Sequence, residues 1–177
     1  PDWQPCGQAY IELAAHGHPE AARSLAQRFI VWRETSSMAR VAARALDRAD
    51  VYSELADWPA TEKALREVPA TAGLEPKYLR LLSLVQAFRR DTVALAETRR
   101  LIVSINPGHD SDPNDSMHGA ALAALLGDRD GAVTLLAKAF RDGSRARASL
   151  HWAGPFDALR GYPPFELLVR PVEDPTH

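Results

Sequence analysis

Leu126-Gly127-Asp128-Arg129-Asp130-Gly131-Ala132-Val133-Thr134-Leu135-Leu136-Ala137-Lys138-Ala139-Phe140 decides the fold class. Gly127-Asp128 breaks the chain between two helical stretches. Beyond the turn, Ala132, Leu135, Leu136 and Ala139 return at intervals of three and four, the period of a helix with one apolar face. The run Ala120 to Leu126 before it is apolar as well. The stretch therefore reads as two helices folded back on one another.

The same period runs outward through the chain: Trp3, Cys6, Tyr10, Leu13; then Met38, Val41, Ala45, Ala49, Tyr52; then Tyr78, Leu81, Val85, Phe88. No window of β-branched residues alternates with polar ones, and no Asn-Gly or Asp-Gly turn joins such windows. Breaks fall at Gly17-His18-Pro19, Glu34 to Ser37, Asp57-Trp58-Pro59, Pro69 to Pro76, Arg90-Asp91, Pro107 to Pro113 and Gly127-Asp128, which predicts eight helices in an all-α chain. Aligning the short turns at Gly17, Ala56, Arg89 and Gly127 places Ala22, Thr61, Ala94 and Ala132 five residues on, and Phe29, Val68, Leu101 and Ala139 twelve residues on. The separations of 39, 33 and 38 residues are those of a helix-turn-helix repeat of about 34 residues with variable linkers.

On these residues the chain resembles the tetratricopeptide repeat family. Leu126 to Phe140 is similar to the family's turn and second helix, and His16 to Trp32 is a fair match. The second and third turns carry Ala56 and Arg89 where the family has glycine, and the early aromatic slot holds Cys6, Ala45, Tyr78 and Ser116. Leu159-Arg160-Gly161-Tyr162-Pro163-Pro164-Phe165-Glu166-Leu167-Leu168 resembles a Leu-Arg-Gly-Asp-Pro-Arg-Phe-x-x-Leu ending that often closes such arrays in bacterial signalling and regulatory proteins. The resemblance implies a right-handed α-solenoid of about four antiparallel helix pairs over residues 1–149, with a cap and tail over 150–177. It implies a ligand groove lined by the first helix of each pair, which the alignment maps onto Gln4, Ile11, Asp50, Ser53, Ser83, Gln86 and Ala121. The lysine, asparagine and arginine clamp by which some members hold a peptide carboxylate is missing from those slots.

Composition narrows the function classes. A net charge of -2 over 177 residues gives no general attraction to nucleic acid or anionic membrane, and no apolar run approaches the roughly eighteen residues of a membrane span. The single cysteine, Cys6, excludes an internal disulfide and fits a reducing compartment, so the cytoplasm is the expected location. The chain begins Pro-Asp-Trp with no methionine and no signal-peptide pattern, so a piece of a longer protein or a processed one is expected. Eighteen arginines against three lysines, with abundant alanine, suggest a GC-rich bacterial source.

Chemistry-bearing clusters are few. His109 to His118 holds Asp110, Asp112, Asn114 and Asp115, but Asp115 stands at the glycine position of a calcium loop and Ala121 at its closing glutamate. Asp112 as N-cap, Pro113 at the first helical position and Asp115 near the helix dipole explain these residues better. His16 and His18 could chelate with Cys6 or Glu20, but no second cluster has zinc spacing. Cys6 with either histidine lacks an orienting group and an oxyanion loop. Arg40, Arg44 and Arg48 form one stripe, with Asp47, Asp50 and Glu54 beside it as counter-charges. No catalytic residue, metal site or cofactor is expected. The expected partner is a protein or peptide rather than nucleic acid or membrane, with a structural subunit of a larger assembly as the alternative. The oligomeric state is left open.

The C-terminal segment crowds prolines and aromatics together. Phe156 and Leu159 share one face of a short helix that Gly161 can end, and Pro163 starts another that groups Phe165, Leu168 and Val169. These residues are expected to cover the apolar face of the last pair, where Leu135, Leu136 and Phe140 would otherwise meet water.

Overall fold

A computed structural model describes residues 4–35, 41–69, 75–105, 113–144, 150 and 154–170, and among them every regular element is helical. The elements are α1 (Gln4–Ala15), α2 (Pro19–Thr35), α3 (Val41–Glu54), α4 (Trp58–Arg66), α5 (Pro76–Phe88), α6 (Thr92–Ile105), α7 (Pro113–Leu126) and α8 (Arg129–Arg141), then a 3-10 helix (Gly154–Leu159) and α9 (Pro163–Val169). Helices α1 and α2, α3 and α4, α5 and α6, and α7 and α8 pack as pairs.

One turn joins the helices of all four pairs. Its left-handed residue is Gly17, Ala56, Arg90 or Gly127, with φ of 78°, 56°, 58° and 89°. In each turn that residue's amide donates three residues back, and the next amide donates five back: Gly17 to Ala14 and His18 to Leu13, Ala56 to Ser53 and Asp57 to Tyr52, Arg90 to Ala87 and Asp91 to Gln86, Gly127 to Ala124 and Asp128 to Ala123. This is the paired bond pattern that satisfies the last carbonyls of a helix. Three of the turns then present an aspartate as N-cap: Asp57 accepts from Ala60 N at 3.2 Å, Asp91 from Ala94 N at 3.1 Å and Asp128 from Gly131 N at 2.9 Å.

The third turn is displaced by one residue from its expected place, because Arg90 and not Arg89 takes the left-handed conformation. The separations become 90 − 56 = 34 and 127 − 90 = 37, after the unchanged 39. Five residues past each turn now stand Ala22, Thr61, Leu95 and Ala132, all buried, whereas the expected Ala94 is partly exposed. Seven residues before each turn stand Tyr10, Ala49, Ser83 and Ala120, also buried.

The main core runs from Leu46 and Ala49 of α3 through Leu65, Leu81, Leu84, Ala120, Leu122 and Leu136 to Phe165 and Val169 of α9. A smaller cluster of Tyr10, Ala26, Phe29, Ile30 and Val51 joins α1 and α2 to α3, with Tyr52 touching both cores. The C-terminal segment reaches farther than the last pair. Helix α9 packs on α8, but the 3-10 helix packs on α7 and also on α3. Leu150, Phe156 and Leu159 are buried in the main core. Gly154 lies so close to the α3–α4 turn that a Cβ there would fall 2.6 Å from Ala56 N and 2.9 Å from the Glu54 carbonyl oxygen. Pro163 starts α9 and stays exposed, while Leu168 is half-buried against the core.

Candidate functional site

The first helices of the pairs are joined by polar contacts into one seam. The Tyr10 hydroxyl of α1 donates to Glu54 of α3. From α5, Lys77 Nζ reaches Asp50 Oδ2 at 2.8 Å and Asp47 Oδ1 at 3.3 Å, both on α3. One turn further along α5, Arg80 pairs with Asp115 of α7, and Ser83 Oγ lies 2.9 Å from His118 Nε2. The spacing of 77, 80 and 84 puts Lys77, Arg80 and Leu84 on one face of α5, with Ser83 at its edge. Beside the seam opens a cleft of about 430 Å³ lined by Asp50 and Ser53, by Pro76, Lys77, Arg80, Leu81 and Leu84, and by His118. Its size is that of small-ligand pockets, with an apolar floor and charged walls.

Burial sets the charge states. Glu54 is pushed up to about 7, by burial first and by Asp50 next, against the lowering effects of the Tyr10 bond and of Lys77. Tyr10 is raised by burial and by Glu54. His118 is driven down to about 4 by burial, helped by Arg80 and Arg99. Burial pulls Lys77 down, but Asp50 and Asp47 outweigh it and hold the ammonium above its ordinary value. Ser83 Oγ donates to the Arg80 carbonyl at 2.7 Å, so it is left to accept from His118. The neutral ring therefore carries its proton on Nε2 and offers Nδ1 as an acceptor.

The expected groove residues divide among three environments. Asp50 and Ser53 line the cleft, while Ser83 is buried behind it, holding His118. Ala121 is buried in the main core, and Ile11 packs on the smaller cluster of α1 and α2. Gln86 faces away, in a second cleft of about 240 Å³ with Glu62, Arg66, Tyr78 and Arg89, and its Oε1 is buried without a partner among the described residues. The one-residue shift at Arg90 explains the last case: in the corrected alignment Leu84 replaces Ser83 and Ala87 replaces Gln86. Gln4 lies in α1, but its side chain is outside the described residues. Lys77 and Arg80 escaped sequence reasoning, while His118 was met as the end of the His109–His118 cluster and not as a partner of α5.

Other candidates settle more simply. Arg48 pairs with Glu34 of α2 and Glu67 beyond α4, rather than with Asp47, Asp50 and Glu54 of its own helix. Arg40 is outside the described residues, as are His109 to Asp112 and the side chains of Cys6 and Asn114. His16 and His18 are exposed, and His16 lies 3.5 Å from Glu12. Among the described residues no group of three metal-ligating side chains converges, and no helix is long and apolar enough to cross a membrane. No protein-family model, curated protein or solved structure matches this chain.

Proposed function

We propose that this chain is a non-catalytic protein-interaction module of the tetratricopeptide-like kind, working in the cytoplasm as part of a bacterial signalling or regulatory protein. In this account the four pairs stack as a right-handed solenoid whose concave side is built by α1, α3, α5 and α7. The recurrent turn carries the proposal: one backbone pattern at four places, 39, 34 and 37 residues apart, is what a repeat array requires. Such arrays present extended surfaces, and the α3–α5–α7 cleft is the polar part of that surface.

Affinity capture from a lysate of the source organism, followed by size-exclusion chromatography, tests this. The expected result is a protein partner that exchanges on dilution. Recovery of nothing above a mock column would overturn it. A second reading, a structural subunit of a larger assembly, is favoured by the exposed apolar side chains of α6, Val93, Leu101 and Val103. It predicts instead a stoichiometric complex that survives dilution.

A further inference from the structure

We propose that the outer face of α6 pairs antiparallel with the same face of a second copy of this chain, whichever partner the first helices take. Helix α6 packs on α5, and the next helix, α7, packs on α5 as well. Within α6 only Leu95 and Thr98 are buried. On the side turned away from those two, Val93, Ala96, Glu97, Arg100, Val103 and Ser104 recur with the spacing of a coiled-coil seam, and all six are exposed. Val93 is 79% exposed and Val103 66%. The stripe thus has a valine toward each end and one charge of each sign in the middle. Glu97 and Arg100 form no ion pair or hydrogen bond among the described residues.

A stripe of this pattern complements itself. When a two-fold axis crosses two antiparallel copies of α6 level with the midpoint of residues 98 and 99, Glu97 stands opposite Arg100 of the second copy. The symmetry makes that contact twice. At both ends Val93 comes within a turn of Val103 of the second copy, and the small Ala96 between them lets the two helices approach to about 8–10 Å. A parallel pair would set Glu97 beside Glu97 and Arg100 beside Arg100, so the charges select the antiparallel arrangement. Lipid is a poor occupant of the same face, because Glu97 lies in the middle of the stripe. The 14 residues of α6 extend about 21 Å, and one helix pair of that length buries less than the roughly 1,200 Å² of a stable interface. The expected dimer is therefore weak and reversible, forming at about 10–100 µM chain.

Sedimentation velocity of the full chain over that concentration range tests the proposal, with circular dichroism as the check on folding. The expected result is a monomer–dimer equilibrium that weakens as salt is raised. Glu97→Arg alone and Arg100→Glu alone each set like charges opposite one another twice, and each should weaken the dimer about tenfold. The double variant Glu97→Arg, Arg100→Glu restores opposite charges and should return the affinity to within about threefold of the original. A chain that stays monomeric throughout would overturn the proposal. A dimer indifferent to both single substitutions, or one that the double variant fails to rescue, would overturn it too. If the chain is monomeric and the single variants instead lose a captured foreign protein, the α6 face belongs to that protein and the proposal fails.

Discussion

Arg90 carries the register of the third pair. A non-glycine residue in the left-handed region costs roughly 1 kcal/mol, and Arg90 occupies it at φ 58°. Arg90→Gly should therefore raise stability by about 0.5 kcal/mol in urea denaturation, whereas Arg89→Gly should lower it. Arg89 has helical dihedrals and pairs with Glu62 at 2.7 Å, so glycine there only adds unfolded-state entropy and removes a contact. The reverse order of the two variants would return the turn to Arg89. Two adjacent arginines with no glycine between them gave sequence alignment nothing by which to choose. The Gly17 and Gly127 turns were legible because only glycine enters that region without cost.

Glu54 and His118 make opposed predictions about pH. Glu54 is raised from 4.5 to about 7, so its burial penalty is absent below about pH 4.5 and grows until about pH 7, removing up to roughly 3 kcal/mol of stability. His118 is lowered from 6.5 to about 4, so its penalty is absent above about pH 6.5 and grows as pH falls toward 4. The two slopes oppose each other between about pH 4.5 and 6.5. Glu54→Gln should leave stability rising with pH from 4 to 6.5, and His118→Asn should leave it falling from 4.5 to 7. Chemical denaturation across that range checks both, and identical profiles for the two variants would refute the assignment.

At the scale of elements, the short helices after residue 150 were legible as elements but not in their reach. Gly161 and Pro163 mark one helix end and the next helix start, and the chain obeys both, with Gly161 at φ 73°. Tyr162 stands at the N-cap of α9 and makes no capping bond. Its hydroxyl donates to Asp130 and its ring lies 5.9 Å from the Arg129 guanidinium, which ties α9 to the start of α8. Glu166 accepts from the Gly161 amide at 2.9 Å, which fastens the turn ahead of α9 without capping its first amides. The contact of Gly154 with the α3–α4 turn could not be read from sequence, because it joins residues about a hundred positions apart through backbone alone. Truncation after Ser149 should therefore uncover α3 and α7 as well as Leu135, Leu136 and Phe140, and cause aggregation or a large fall in melting temperature. A soluble truncated chain that melts where the full chain does would contradict this.

Across the whole molecule, periodicity alone yielded the helices and their pairing, because each helix must bury one stripe against its neighbour. The seam was harder to see. It joins α1, α3, α5 and α7 through Tyr10–Glu54, Asp50–Lys77, Arg80–Asp115 and Ser83–His118, contacts whose partners are dozens of residues apart in sequence. Charge partners chosen along a single helix were accordingly wrong for Arg48 and for Asp50. That same seam makes the first helices the face on which a partner is expected. The most direct test is the backbone amide NMR spectrum of the chain with and without its captured partner. The account predicts the largest shifts in residues 47–54, 77–84 and 115–121; shifts confined to α2, α4, α6 and α8 would contradict it.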